Sequence, residues 1–231
     1  MSKPQTLALI HTSMVFLTVE TLMKDLFAEI LSGVRLINIV DDSLLPDVMR
    51  VGRIPPEVAS RMADYVVAAE KTGADAILSL CSSLGPAIDA AKSRVRIPVL
   101  KIDEAMAAKA AADGQRIGVM ATVPTTLGPT CDLIQAQADR ICKTIRIERS
   151  LVAGAFEALM AGQKALHDEK VFEAGRVLAG QVDLIAFAQA SMTRLAPRMG
   201  ELTGRPVLTS PRLGIEHARS VLASLRQEGA G

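Results

Sequence analysis

Short apolar runs recur along the chain, each followed by a longer stretch with helical periodicity. The runs are Thr6–Ile10, Val34–Val40, Ala76–Leu80, Pro98–Ile102, Arg116–Met120, Thr144–Ile147, Leu184–Ala188 and Pro206–Leu208. Apolar runs of this length predict buried strands, and the periodic stretches between them predict helices packed on a sheet. Such repeated alternation of strand and helix is the pattern of an α/β protein with mostly parallel strands. The punctuation agrees: Gly33 and Gly73 stand where helix C-caps are wanted, Pro55–Pro56 opens a helix, and Asp103 is placed to N-cap the segment EAMAAKAAAD.

Alternation alone fits either an eight-stranded barrel or two open sheets. An internal repeat bears on the choice. The segment DAILSLCSS from Asp75 to Ser83 aligns without a gap to DLIAFAQAS from Asp183 to Ser191, and Pro98-Val-Leu aligns to Pro206-Val-Leu at the same offset. A weaker echo joins LALIHT, ending at Thr12, to IGVMAT, ending at Thr122. Two similar four-strand units are the simplest meaning, with half-barrels as the rival. The expected fold is therefore α/β, two pseudo-symmetric lobes, each a four-stranded parallel sheet flanked by helices. The first lobe takes residues 1–103 and 209–231, the second residues 104–208.

Composition narrows the function. With 231 residues, 49% hydrophobic and 22% charged, the chain is long enough for a substantial core and lacks the signature of disorder. Aromatic residues make up 3%, and 26 basic residues against 25 acidic leave a formal charge of +1, so neither a stacking platform nor a basic patch for nucleic acid is expected. The apolar start of the chain is broken by His11, Thr12 and Ser13 and has no small-residue cleavage site, and no stretch is long enough to span a membrane. Three widely spaced cysteines without a CxxC suggest a reducing compartment, and a cytoplasmic protein is expected.

In parallel α/β folds ligands bind beyond the carboxyl ends of the strands. Those places hold His11, Thr12 and Ser13; Asp41, Asp42 and Ser43; Cys81, Ser82 and Ser83; Thr122, Thr125 and Thr126; and Gln189 and Ser191. A set of hydroxyls with one thiol and one amide suits a carboxylate, held by hydroxyls and helix N–H groups, although Ser and Thr at such places also serve as plain N-caps. Cys81 stands between a strand and a helix, where the helix dipole is expected to lower its thiol pKa and make it a base or nucleophile; a buried structural thiol is the other reading. Cys131 and Cys142 are assigned to packing. His11 is either an orienting or acid/base group or a structural histidine. Asp41-Asp42 reads more simply as a solvated turn than as a proton-transfer pair. His167 and His217 lack metal-ligand spacing with a carboxylate, and no nucleotide-binding glycine motif occurs.

These residues carry a resemblance. ILSLCSSLGP, containing Cys81, resembles the first catalytic-cysteine loop of the aspartate/glutamate/hydantoin racemase superfamily, IGVMATVPTTLGPT resembles its threonine-bearing substrate loop, and the two similar halves match its build. The resemblance implies two four-stranded lobes with an active site between them and no cofactor. It also implies two cysteines on opposite faces of a carbon acid beside a carboxylate. The sequence departs from that pattern at Gln189, which stands where the second cysteine belongs and which the internal repeat locates independently. The expected activity is a racemase-like isomerase using Cys81 as acid/base, with Gln189 opposite it. His11, Thr12, Ser13, Asp42, Ser82, Ser83, Thr122, Thr125, Thr126 and Ser191 are the candidate contacts to a small carboxylate-bearing substrate. A one-base decarboxylase or lyase of the same superfamily and a non-catalytic binder of small acids are the rivals, and a homodimer is the expected assembly.

Overall fold

The computed structural model describes residues 4–14 and 21–228. It divides into two units, one taking the chain to Ile102 and again from Pro211, the other Asp103–Ser210. In the first unit β1 (Thr6–His11), α1 (Thr21–Ile30), β2 (Arg35–Val40), α2 (Leu44–Val51), α3 (Pro56–Lys71), β3 (Ala76–Ser79), α4 (Gly85–Ala91) and β4 (Val99–Lys101) follow in order. The second unit holds α5 (Glu104–Asp113), β5 (Arg116–Ala121), α6 (Pro124–Arg140), β6 (Arg146–Leu151), α7 (Ala155–Met160), α8 (Lys164–Ala179), β7 (Leu184–Phe187), α9 (Ala196–Thr203) and β8 (Val207–Leu208). Then α10 (Ser210–Glu228) returns to the first unit.

Each sheet is four-stranded with all pairings parallel, in the orders β2-β1-β3-β4 and β6-β5-β7-β8. The two orders are the same once the repeat is allowed for, and each sheet ends in two edge strands, so the barrel reading is excluded. In the first unit Leu7, Leu9 and Leu78 pack with Met23 and Phe27 of α1 and Ile215 and Leu222 of α10. On the opposite face Ala8, Ile10 and Ile77 meet Val58, Met62 and Val66 of α3. In the second unit Met120, Ile185 and Phe187 pack with Val171 and Leu178 of α8 and with Met199 of α9. Alternate residues of the central strands thus serve opposite faces, which is why those strands read as unbroken apolar runs.

The repeat has a structural meaning at its first residue. The Asp75 carboxylate accepts a 2.6 Å hydrogen bond from the Thr6 N–H, and the Asp183 carboxylate accepts one of 2.8 Å from the Arg116 N–H. In each unit an aspartate just before the inner strand therefore pins the amino end of the neighbouring strand. Gly33 (φ +83°) and Gly73 (φ +78°) adopt the left-handed conformation that closes a helix before a strand.

Two local expectations change. Asp103 stands at the N-cap of α5, but with φ −99° and ψ −3° it is helical rather than extended, and its side chain makes no capping bond. The sixth strand runs from Arg146 to Leu151 rather than Thr144–Ile147. It is an edge strand with Arg146, Arg149 and Leu151 exposed, so an apolar run marks only part of it.

Candidate functional site

At the carboxyl edge of the first sheet, His11 is the last residue of β1 rather than the first beyond it, and it is 2% exposed. Its Nε2 lies 2.8 Å from the Asn38 side-chain oxygen. Facing an acceptor, Nε2 carries the proton, so Nδ1 presents a lone pair, and that atom is buried with no hydrogen-bond partner. Burial lowers the histidine pKa below its ordinary 6.5, and the bond to Asn38 offsets this only in part. Thr12 is buried beside it and Ser13 half-buried.

The turn after β2 is organised by Asp41, not by the candidate Asp42. Asp41 accepts bonds from the Ser43 N–H and hydroxyl, from Arg61 at 3.1 Å and from the Tyr65 hydroxyl at 2.8 Å. Burial alone would raise its pKa, but these bonds and the Arg61 charge outweigh it and hold the carboxyl below the usual range. Asp42 is exposed, as expected of a solvated turn.

Beyond β3, Cys81 is half-buried and extended, with φ −130° and ψ 112°. A 3₁₀ turn, Ser82–Leu84, separates it from α4, so the thiol precedes that turn rather than abutting an α-helix as the sequence suggested. Ser82 and Ser83 are buried within the turn. Beneath the loop the Lys101 ammonium, on a side chain 6% exposed, lies 2.5 Å from the Asp89 carboxylate of α4. An apolar count along the chain gives no hint of this buried cation, because Val99 and Leu100 dominate the run.

In the second unit Gln189 occupies the corresponding place with nearly the same backbone, φ −123° and ψ 131°, and a 3₁₀ turn, Ala190–Leu195, follows it. Its side-chain oxygen accepts three bonds, from the Thr122 N–H at 2.6 Å, the Thr122 hydroxyl at 3.1 Å and the Val123 N–H at 3.1 Å. Thr122, a candidate carboxylate contact, thus has both its donors directed at Gln189. Thr126 is buried in the first turn of α6, while Thr125 and Ser191 are half-buried.

Near the start of α8 lies a cluster the sequence reading missed. Asp168 accepts Arg194 through both oxygens, at 2.6 and 2.5 Å, and lies 2.7 Å from Nδ1 of the 2%-exposed His167. Burial raises the Asp168 pKa, but the bonds from Arg194 and His167 prevail and lower it. Arg194 belongs to the turn that begins after Gln189, so the cluster braces that turn against α8. The adjacent His-Asp pair was the available signal; its partner, 26 positions on, was not. Among the described residues no group of His, Cys, Asp and Glu could hold a metal ion, and no helix is long and apolar enough to cross a membrane.

The sequence profile described as Asp/Glu/Hydantoin racemase matches residues 18–218. A comparison with curated proteins finds no match. Among solved structures, a protein from Yersinia pestis assigned as an Asp/Glu racemase superposes with a TM-score of 0.74 at 16% identity, covering 95% of this chain and 99% of that one. A glutamate racemase isoform from Bacillus anthracis gives 0.71 at 15% identity, over 97% of this chain and 84% of that one. A sulfate-associated cysteine variant of arylmalonate decarboxylase gives 0.57 at 15% identity, over 94% and 93%. At these identities the likeness is one of fold.

Proposed function

Since the chain belongs to the Asp/Glu/hydantoin racemase family, we propose that it is a cofactor-independent, racemase-like isomerase acting at the carbon next to a carboxylate or carbonyl of a small acid. The observation that carries the reading is the placement of a half-buried thiol, Cys81, at the turn beyond an inner strand, where ligands of parallel α/β units bind. The Cys81 thiolate takes the proton from the α-carbon and the electron pair moves onto the adjoining oxygen as an enediolate. Water then protonates the opposite face to invert the carbon, and the hydroxide left takes the thiol proton, whereas return of the proton by the Cys81 thiol gives exchange with retention. Ser82 and Ser83, in the turn that follows Cys81, hold the carboxylate, and His11, Thr12, Ser13 and Asp42 of the same unit orient the acid. In the second unit Thr125, Thr126 and Ser191 are the candidate contacts to a small acid. Thr122 acts through Gln189, which its N–H and hydroxyl engage.

An amide does not exchange protons as an acid or base near neutral pH, so Gln189 leaves Cys81 as the principal proton-transfer group. That favours a second reading, one-base decarboxylation: the bond from the α-carbon to a carboxylate breaks, carbon dioxide leaves, and Cys81 protonates the carbanion. A cytoplasmic homodimer completes the proposal. The test is to incubate each enantiomer of aspartate, glutamate and substituted hydantoins, and separately substituted malonates, in deuterated water, following label, chirality and carbon dioxide. Deuterium uptake at the α-carbon with change of chirality and no carbon dioxide supports the isomerase, and carbon dioxide release with deuterium in the product supports the decarboxylase. Binding without either would leave a non-catalytic acid binder. Cys81→Ala should lower the rate by about 10²–10⁴-fold, the usual contribution of a positioned acid or base.

A further inference from the structure

The three donors that converge on Gln189 determine more than its position. Two of them, the N–H groups of Thr122 and Val123, can only donate, so the atom they meet is the amide oxygen and the orientation of the amide is fixed. The Thr122 hydroxyl adds a third bond to the same oxygen. That oxygen's lone pairs are therefore taken up, and the amide is held against rotation. Nε2, with two N–H donors, is left with no protein partner among the described residues. The side chain is half-buried at the carboxyl edge of the second sheet, on a backbone that matches that of Cys81.

We propose that Gln189 is a preorganised oxyanion donor: its Nε2 group, aimed by Thr122 and Val123, donates hydrogen bonds to the oxygen of a bound acid on which negative charge develops. The chemistry rests on the racemase-like reading; the donor polarity rests on the three bonds alone. A donor fixed in advance needs no reorganisation when charge appears, and it stabilises an enediolate more than the neutral carbonyl or resting carboxylate that precedes it. The amide oxygen fills the N–H cradle at the start of α6, so a substrate carboxylate does not enter it; the substrate meets the amide nitrogen instead. The ligand class selected is an acid whose carbanion spreads onto an oxygen, either its own carboxylate or a second carbonyl on the same carbon. Gln189 is then a catalytic residue without being an acid or a base, and Thr122 and Val123 are positioning residues.

The probe is the nitronate of 3-nitropropionate, in which the charged planar nitro group mimics an enediolate, with succinate as its carboxylate counterpart. Each is titrated into ¹⁵N-labelled wild type and into Gln189→Glu, and the side-chain amide and backbone signals are followed by NMR. Glutamate keeps an oxygen for Thr122 and Val123 but replaces the donor with an acceptor, so the backbone signals of those two residues should persist. The Gln189 amide signals, identified by their absence in the variant, should move on adding nitronate. Nitronate affinity should fall about tenfold or more in Gln189→Glu, with succinate affinity changed much less. Unmoved Gln189 signals, no nitronate binding to wild type, or equal affinity in a folded Gln189→Glu would each overturn the proposal. If Gln189→Glu does not fold, the movement of the wild-type amide signals decides alone. The deuterated-water assay on Cys81→Ala separates the two readings: full exchange activity in that variant would end the role of Cys81 and leave the Gln189 result standing.

Discussion

Burial separates Cys81, at the end of a strand, from Cys131, within a helix. Cys131, 1% exposed in α6, has its thiol pKa pushed up by desolvation, whereas Cys81 stays half-buried at a loop. Cys131→Ala should keep wild-type turnover and lose about 1 kcal/mol of stability, while Cys81→Ala should lose turnover with its thermal midpoint nearly unchanged; activity and melting measured on both variants check the pair. His11 supplies a pH test. Its folded pKa lies below 6.5, so as pH falls through 6.5 the unfolded chain takes up a proton that the folded chain resists. The stability contributed by neutral His11 is complete above that value and is lost as pH falls towards the folded pKa. Urea midpoints at about pH 7.5 and pH 5.5 should therefore drop more in wild type than in His11→Asn. Most candidate residues were legible because a residue just past an apolar run must lie at a strand end. What Gln189 does there was not legible: the polarity of an amide is set by the donors around it, and Thr122 lies 67 positions away.

Elements were legible where burial on both faces leaves an uninterrupted run, as in TLALIH of β1, and were blurred where water reaches one side, as in RIERSL of β6. The return of α10 depends on a close approach at Gly214, where an added Cβ would lie 2.2 Å from the backbone oxygen of Ile102. Since that atom belongs to the main chain, a methyl group there forces the helix away from the end of β4. Gly214→Ala should cost about 1–3 kcal/mol or more despite the better helix propensity of alanine, which urea denaturation would measure. An unchanged midpoint would mean that the helix start can shift without loss.

At the scale of the molecule, one unit is continuous in sequence and the other is not. The unit of Asp103–Ser210 needs no other segment for its sheet, whereas the first borrows α10, which buries Ile215, Ala218 and Leu222 against Leu7 and Leu9. Burying a side chain such as Ile215 or Leu222 contributes about 1.5–3 kcal/mol. Truncation after Ser210 should therefore abolish amide protection in Thr6–His11 while leaving it in Arg116–Ala121, an outcome that hydrogen exchange resolves segment by segment. The aspartates at 75 and 183 act at the opposite end from the functional loops. By clamping the amino ends of the first strands to their neighbours, they set strand alignment away from the candidate loops. The far ends are thereby released from specifying the scaffold: a thiol can stand at one and an amide at the other without a strand slipping. A fold anchored in this way can exchange a residue at a strand end without moving the strand, and Cys81 and Gln189 on nearly matching backbones are that freedom in use.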